Sequence, residues 1–276
     1  MRFGVCAWIY GEAPLDRTLG RIAAAGYDGV EWPGEPAAYD PREVRRLIAA
    51  AGLAPVGLTA SCMAPRTPRD LASPDPGIRR EAVAYVEACL RFAGEIGAPL
   101  VQMLPSGETR LAPVKGRDEE WRWSVEGMRQ AAREAERLGV RICIEPLNRY
   151  EAYLVTTAEE AIAYVDAVGS PWVGMTLDLF HAGIEEPDVP AAVRAAGPRL
   201  GHVHAADTNR RGLGRGHLDL APVAAALREV GYAGAIVVEV MPPGPDPFRS
   251  IKDARSPAIL DAYIRESLAA LKRHVG

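Results

Sequence analysis

No stretch of this chain approaches the ~20 consecutive apolar residues that a membrane-spanning helix needs. The opening MRFGVCAWIY has neither the basic start nor the long apolar region of a signal peptide. A surplus of basic charge is missing as well. The net charge is −4 and the pI about 5.8, with Lys and Arg spread along the chain. Neither nucleic acid nor a membrane surface is therefore an expected partner. Cysteine is scarce: Cys6, Cys62, Cys89 and Cys143 are widely spaced and make no CxxC pair, which argues for free thiols in a cytoplasmic protein and against a disulfide framework. A dinucleotide-binding fold would place a glycine-rich turn after the first strand, and Trp8-Ile9-Tyr10-Gly11-Glu12 is not one. What remains is a soluble chain whose 48% hydrophobic and 25% charged residues supply ample core and an ordinary surface.

Hydrophobic periodicity divides the chain into alternating strands and helices. Strands are expected at Phe3 to Trp8, Asp28 to Trp32, Leu53 to Ser61, Leu100 to Leu104, Val140 to Ile144, Trp172 to Asp178, Leu200 to Ala205 and Ala235 to Val240. Helices are expected at Leu15 to Ala25, Pro41 to Ala51, Asp75 to Ile96, Glu119 to Leu138, Ala158 to Val168, Val189 to Ala196, Leu220 to Val230 and Pro257 to His274. Two connections, Cys62 to Ser73 and Pro105 to Asp118, are too long to be mere connectors. Eight such units of about 34 residues, with no linker between them, predict an α/β fold: one (β/α)8 TIM barrel domain over residues 1–276.

The stretch GVRICIEPLNRYE, Gly139 to Glu151, sets the functional reading. A half-buried strand ends in Glu145, and Pro146 then stops both ladder and helix. The layout recurs at Asp178, His204 and Glu239, spaced by 33, 26 and 35 residues, each about one repeat unit. In a closed barrel the C-terminal ends of all strands share one face, where active sites lie. Three carboxylates brought together there repel unless a positive charge sits among them. One divalent cation answers that need, and the oxygen-rich ligand set suits Mn2+, Co2+ or Mg2+. Each residue alone has a plainer role: Glu145 as an ion-pair partner, Asp178 as a cap of the following turn, and either His202 or His204 as a hydrogen-bonded core histidine. The plainer role is assigned to His202, one layer deeper.

The segments EPLNRYE, DLFHAGIEE, HVHAADTNR and VVEVMPP, in this order, resemble the metal-site segments of the xylose isomerase-like barrels, and within them the ketose 3-epimerases of the tagatose and allulose (psicose) type. DLASPDPGIRREAVAYV is similar to that family's entry into the third helix. The resemblance implies Glu145, Asp178, His204 and Glu239 as ligands of one divalent metal, Mn2+ first, and Glu145 and Glu239 also as the acid/base pair. It implies Glu151, His181 and Arg210 as residues that hold the carbonyl end of a small sugar or polyol. The implied activity is inversion at C3 of a free keto-sugar through a cis-enediolate, by a homodimer or homotetramer. Pro146 departs from the family pattern, as do Ala205 to Thr208 and the loops after the first three strands. An aldose–ketose or hydroxypyruvate-type isomerase, or a lyase or dehydratase on a cyclic polyol or keto-glycoside, would use the same parts. A repair endonuclease of this fold would want a histidine-rich three-metal site and a basic surface, against five histidines and a negative net charge here.

Overall fold

The computed structural model describes residues 1–60, 62 and 68–275. Its strands are β1 (Arg2–Cys6), β2 (Gly29–Gly34), β3 (Ala54–Ala60), β4 (Leu100–Met103), β5 (Arg141–Ile144), β6 (Val173–Asp178), β7 (Leu200–Ala205) and β8 (Ala235–Val238). Every neighbouring pair is parallel, and β8 pairs with β1, closing a barrel in the order β1 to β8. Around it run α1 (Leu15–Ala24), α2 (Pro41–Ala50), α3 (Pro76–Ile96), α4 (Arg117–Leu138), α5 (Ala158–Val168), α6 (Leu179–Glu185), α7 (Val189–Ala196), α8 (Leu220–Glu229) and α9 (Ser256–His274). The predicted barrel is the observed one. Among the described residues, no helix is long and apolar enough to cross a membrane.

Local chemistry explains the boundaries. Side chains of Asp40, Asp75, Thr157, Asp188 and Asp219 accept backbone N–H bonds at the starts of α2, α3, α5, α7 and α8; such a cap stabilises a helix by about 1 kcal/mol. Proline occupies the first turn of α2 and α3, where no N–H is needed. Strands are buried on both faces, as parallel strands covered by helices must be; β6, for example, is buried at all six positions. All four cysteines are free and buried.

Three departures from the sequence reading matter. β1 stops at Cys6 rather than Trp8, because Ala7–Tyr10 turn into a 3-10 helix that carries Trp8 to the cavity lined by Glu145 and Glu239. β8 stops at Val238, so Glu239 stands just past the strand. The segment after β6, expected as loop, is the additional helix α6, started by Asp178 itself. Ser61, expected to end the third strand, lies outside the described residues, as does the 63–67 part of the loop that follows.

Candidate metal centre

Register places the cluster. Asp178 on β6 lies level with His204 on β7, and Glu31 on β2 level with Cys6 on β1. Glu145 follows β5 and is fixed by its N–H bond to the Met103 carbonyl (3.0 Å), while the Glu239 N–H bonds the Ala205 carbonyl (3.1 Å). One ligand-capable atom each from Glu145, Asp178, His204 and Glu239 lies within 4.8 Å of the others, and all four residues are buried. The four strand-end residues predicted from spacing do converge.

Asp178 caps the segment that follows it and keeps its second oxygen free of hydrogen bonds. Its Oδ1 accepts the Phe180 N–H (2.6 Å) and the longer His181 N–H (3.4 Å), capping α6. Its Oδ2 is buried without a hydrogen-bond partner. A buried, unpaired carboxylate oxygen is costly in a folded protein, and here it faces three other ligand-type groups. Burial raises the Asp178 carboxyl to about 7, against the lowering field of Arg210. Glu145 is also raised by burial, with His204 opposing. Glu239, although buried, is held low by His204 and Arg210. An orphaned oxygen among crowded acids is the donor set that a hard divalent cation fits.

His204 and His202 are distinguished by a residue left out of the sequence assignment, Glu31. Its carboxylate receives Nε2 of His204 (2.9 Å) and Nε2 of His202, and also the Thr59 hydroxyl and, more weakly, the Cys6 thiol (3.2 Å). A carboxylate ionised in this way only accepts, so both rings carry a proton at Nε2. That leaves His204 Nδ1 facing the cluster, 3.1 Å from Glu145 and 3.6 Å from Glu239. Glu31, His202 and His204 are fully buried. Burial opposes charge on Glu31, yet the two histidines hold it well below the usual carboxylate range. Gly57 makes the room: a Cβ there would lie 2.8 Å from Glu31 Oε2. The sequence signal was an acid near the end of the strand expected at Asp28 to Trp32, but β2 runs on to Gly34 and leaves Glu31 mid-strand, a depth that spacing does not carry. His202 has the core role predicted for it.

The predicted substrate residues surround the cluster. Arg210 donates to Glu239 Oε2 (2.7 Å), and its Nη1 lies 3.0 Å from His181 Nε2 and 4.0 Å from Asp178 Oδ2. His181 Nδ1 is met by the backbone and side-chain nitrogens of Asn148 (3.2 and 2.8 Å), and burial together with Arg210 keeps the ring neutral. Asn148 also donates to Glu151 (2.9 Å). Arg210 sits at φ +58°, in a loop gathered by buried Asp207, which accepts the N–H groups of Thr208, Gly214 and Leu218. Two further polar residues reach the acids: Gln102 donates to Glu145 Oε2 (2.5 Å), and Trp8 Nε1 to Glu239 Oε1 (2.8 Å). Glu145, Glu239, His181, Arg210 and Glu151 all line one cavity of about 630 Å3, with apolar walls that include Leu104, Leu147, Phe180 and Met241.

The profile of the xylose isomerase-like TIM barrel family matches residues 19–274. The chain belongs to that family. D-psicose 3-epimerase of Ruminiclostridium cellulolyticum is 35% identical over 234 residues, covering 83% of this chain and 78% of that protein. L-ribulose 3-epimerase of Mesorhizobium japonicum is 30% identical over 244 residues, covering 86% and 80%. The crystal structure of D-psicose 3-epimerase with D-tagatose from Clostridium cellulolyticum H10 superposes with a TM-score of 0.89 at 28% identity, covering 100% of this chain and 99% of that one. This xylose isomerase-like barrel is thus related over most of its length to sugar epimerases, which are isomerases.

Proposed function

We propose that this xylose isomerase-like barrel is a single-domain, divalent-metal-dependent ketose 3-epimerase acting on a free keto-sugar. The observation that carries the reading is the convergence of Glu145, Asp178, His204 and Glu239 within 4.8 Å, with Glu145 and Glu239 lining a cavity of about 630 Å3. Relationship to several ketose 3-epimerases supports the choice of reaction. Glu145, Asp178, His204 Nδ1 and Glu239 would hold one ion, with Mn2+ favoured and Co2+ or Mg2+ as alternatives, since the donors are three carboxylates and one imidazole. When bound, that ion supplies Lewis-acid polarisation of the carbonyl and neighbouring hydroxyl.

The protein's own part is proton transfer and positioning. β5 and β8 are three strands apart around the ring, so Glu145 and Glu239 approach the cavity from different flanks. One carboxylate takes the C3 proton, and the carboxyl opposite returns one to the other face. Gln102 orients Glu145, while Trp8 and Arg210 orient Glu239. Arg210, His181 and Glu151 hold the substrate oxygens beside the carbonyl. The apolar walls and the segment 241–248 keep water from the exchanging proton. As in the family it resembles, assembly as a homodimer or homotetramer is part of the proposal, checked by sedimentation.

The test is exchange in D2O across a panel of ketoses, followed by NMR at each carbon. The proposal expects deuterium at C3 and inversion there. Glu145→Gln and Glu239→Gln should each lower turnover by about 100-fold or more, each retaining exchange into one epimer only. Exchange at C1 in place of C3 would make the enzyme an aldose–ketose isomerase, and full activity in either variant would remove the acid/base pair.

A further inference from the structure

One acid in the cavity has neither a part in the reaction just described nor, among the described residues, a partner of its own. Glu108 lies on the loop after β4 and lines the same cavity as Glu145, Glu239 and Arg210. Its side chain has no hydrogen-bond or ion-pair partner among the described residues, although most of it is buried. The other acids of the wall away from the cluster are engaged: Glu151 by Asn148 (2.9 Å), and Glu35 by both terminal nitrogens of Arg69 (2.6 and 2.7 Å). The wall's ammonium, Lys252, donates to the Asp246 carbonyl. Burial, and after it the like charge of Glu151, raises the Glu108 carboxyl to about 7.

The loop is built to hold that carboxyl in place. Thr109, the next residue, sits at φ +69°, a conformation rare for any residue but glycine and an outlier for a β-branched one. It is pinned on both sides. The Gly107 N–H bonds Asp70 (2.9 Å), the Glu108 N–H bonds the Cys62 carbonyl (2.9 Å), and the Thr109 N–H bonds the Glu151 carbonyl (2.7 Å). Arg110 is clamped by Asp70 (2.9 Å), Glu120 (2.5 Å) and Tyr153 (2.6 Å). Strain of this kind persists only where the surroundings impose it, and it gathers at ligand sites. Its effect here is to hold an unpaired acceptor at the wall of the cavity.

We propose that Glu108 is a specificity-determining residue: its carboxylate accepts hydrogen bonds from hydroxyls of a polyhydroxylated ketone bound in this cavity. The proposal rests on the epimerase reading and adds to it a residue that recognises hydroxyls of the sugar. A site that offers a buried acceptor to a hydroxyl rejects the deoxy analogue strongly, because the acceptor is then left unpaired.

The test compares Mn2+-loaded wild type, Glu108→Gln and Glu108→Ala on ketohexoses and their deoxy counterparts. Binding is read from the fluorescence of Trp8, which lines the cavity, and turnover from C3 exchange. For the hydroxylated ketose, Glu108→Ala should raise Kd and KM by about 10- to 100-fold, the loss expected of a hydrogen bond to a buried charge, with kcat falling less. For the analogue lacking the recognised hydroxyl, wild type and variant should bind alike. Without sugar at pH 8, Glu108→Gln should melt no lower than wild type, since it removes a buried unpaired charge. Unchanged Kd and KM for every sugar, or a lower Tm in Glu108→Gln, overturns the role of Glu108 while leaving the epimerase reading intact. Binding that depends on Glu108 without C3 exchange keeps this proposal and sinks the epimerase reading. A wild type that binds none of the sugars refutes both.

Discussion

Removing Glu31 should weaken a metal that it never touches. The carboxylate accepts from Nε2 of both His202 and His204 and so fixes Nδ1 of His204 as the nitrogen offered to the cluster. In Glu31→Ala both acceptors vanish, and two buried imidazole N–H groups lose their partner. At about 1–3 kcal/mol each, the stability loss is roughly 2–6 kcal/mol, a large share of the 5–15 kcal/mol a domain has. The second effect is on binding: loss of a carboxylate behind a ligating histidine costs about 10- to 100-fold in metal affinity. Glu31→Gln separates the two. A carboxamide has one acceptor oxygen, so only one ring can keep donating, and its NH2 must face the other. His202 Nδ1 has no partner, which makes His202 the ring free to exchange its proton between nitrogens. His204 then keeps its orientation, and Mn2+ affinity falls less than in Glu31→Ala. Calorimetric Mn2+ titration, melting of the metal-free variants, and 15N NMR of the histidine tautomers measure each part. A folded Glu31→Ala protein that binds Mn2+ as the wild type does would refute the argument, and so would Glu31→Gln losing more affinity than Glu31→Ala.

Two further outcomes follow from the same geometry. Asp178→Asn keeps an oxygen to cap α6 but exchanges the unpaired Oδ2 for an NH2, so metal content should fall at least ~10-fold while the metal-free Tm holds or rises; a fall in Tm with metal retained would make Asp178 a cap and nothing more. Arg210→Ala and His181→Ala should raise KM or lower kcat with metal content intact, as befits groups that hold substrate; loss of metal from either would move it into the ligand set.

The barrel was legible because eight apolar runs alternate with amphipathic helices, and parallel pairing needs nothing more specific than that. The cluster was legible because strand ends in a barrel share one face, which turns the spacings between Glu145, Asp178, His204 and Glu239 into proximity. Less visible was anything set by depth or by loop shape. Glu31 stands near the end of the strand expected from sequence, yet β2 runs on to Gly34 and Glu31 lies inside the barrel against His202 and His204, in room that Gly57 leaves open. The α6 helix escapes the periodicity because its helical run is only seven residues. Asp207 and Glu108 belong to loops whose form comes from backbone bonds to a single carboxylate or from a strained residue, and periodicity carries no trace of either.

Where the molecule leaves acids unsatisfied is itself informative. On the helices, acids face arginines: Glu43 with Arg46, Glu134 with Arg137, Asp166 with Arg199, Glu229 with Arg194. Among the described residues, the buried carboxylate oxygen without a hydrogen bond is Asp178 Oδ2, and the mostly buried carboxyl without a partner is Glu108 in the same cavity. The backbone repeats the pattern, for the non-glycine residues at positive φ among the described residues, Thr109, Arg210 and Asp246, adjoin or line that cavity. Each such residue costs about 1–3 kcal/mol, which a chain tuned for stability alone would shed. A stabilising substitution is therefore easiest to find at the site where it does most harm to function. Replacing Glu108 by an uncharged residue should ease the free protein, and it should blind the cavity to the hydroxyls that the carboxylate is held there to meet.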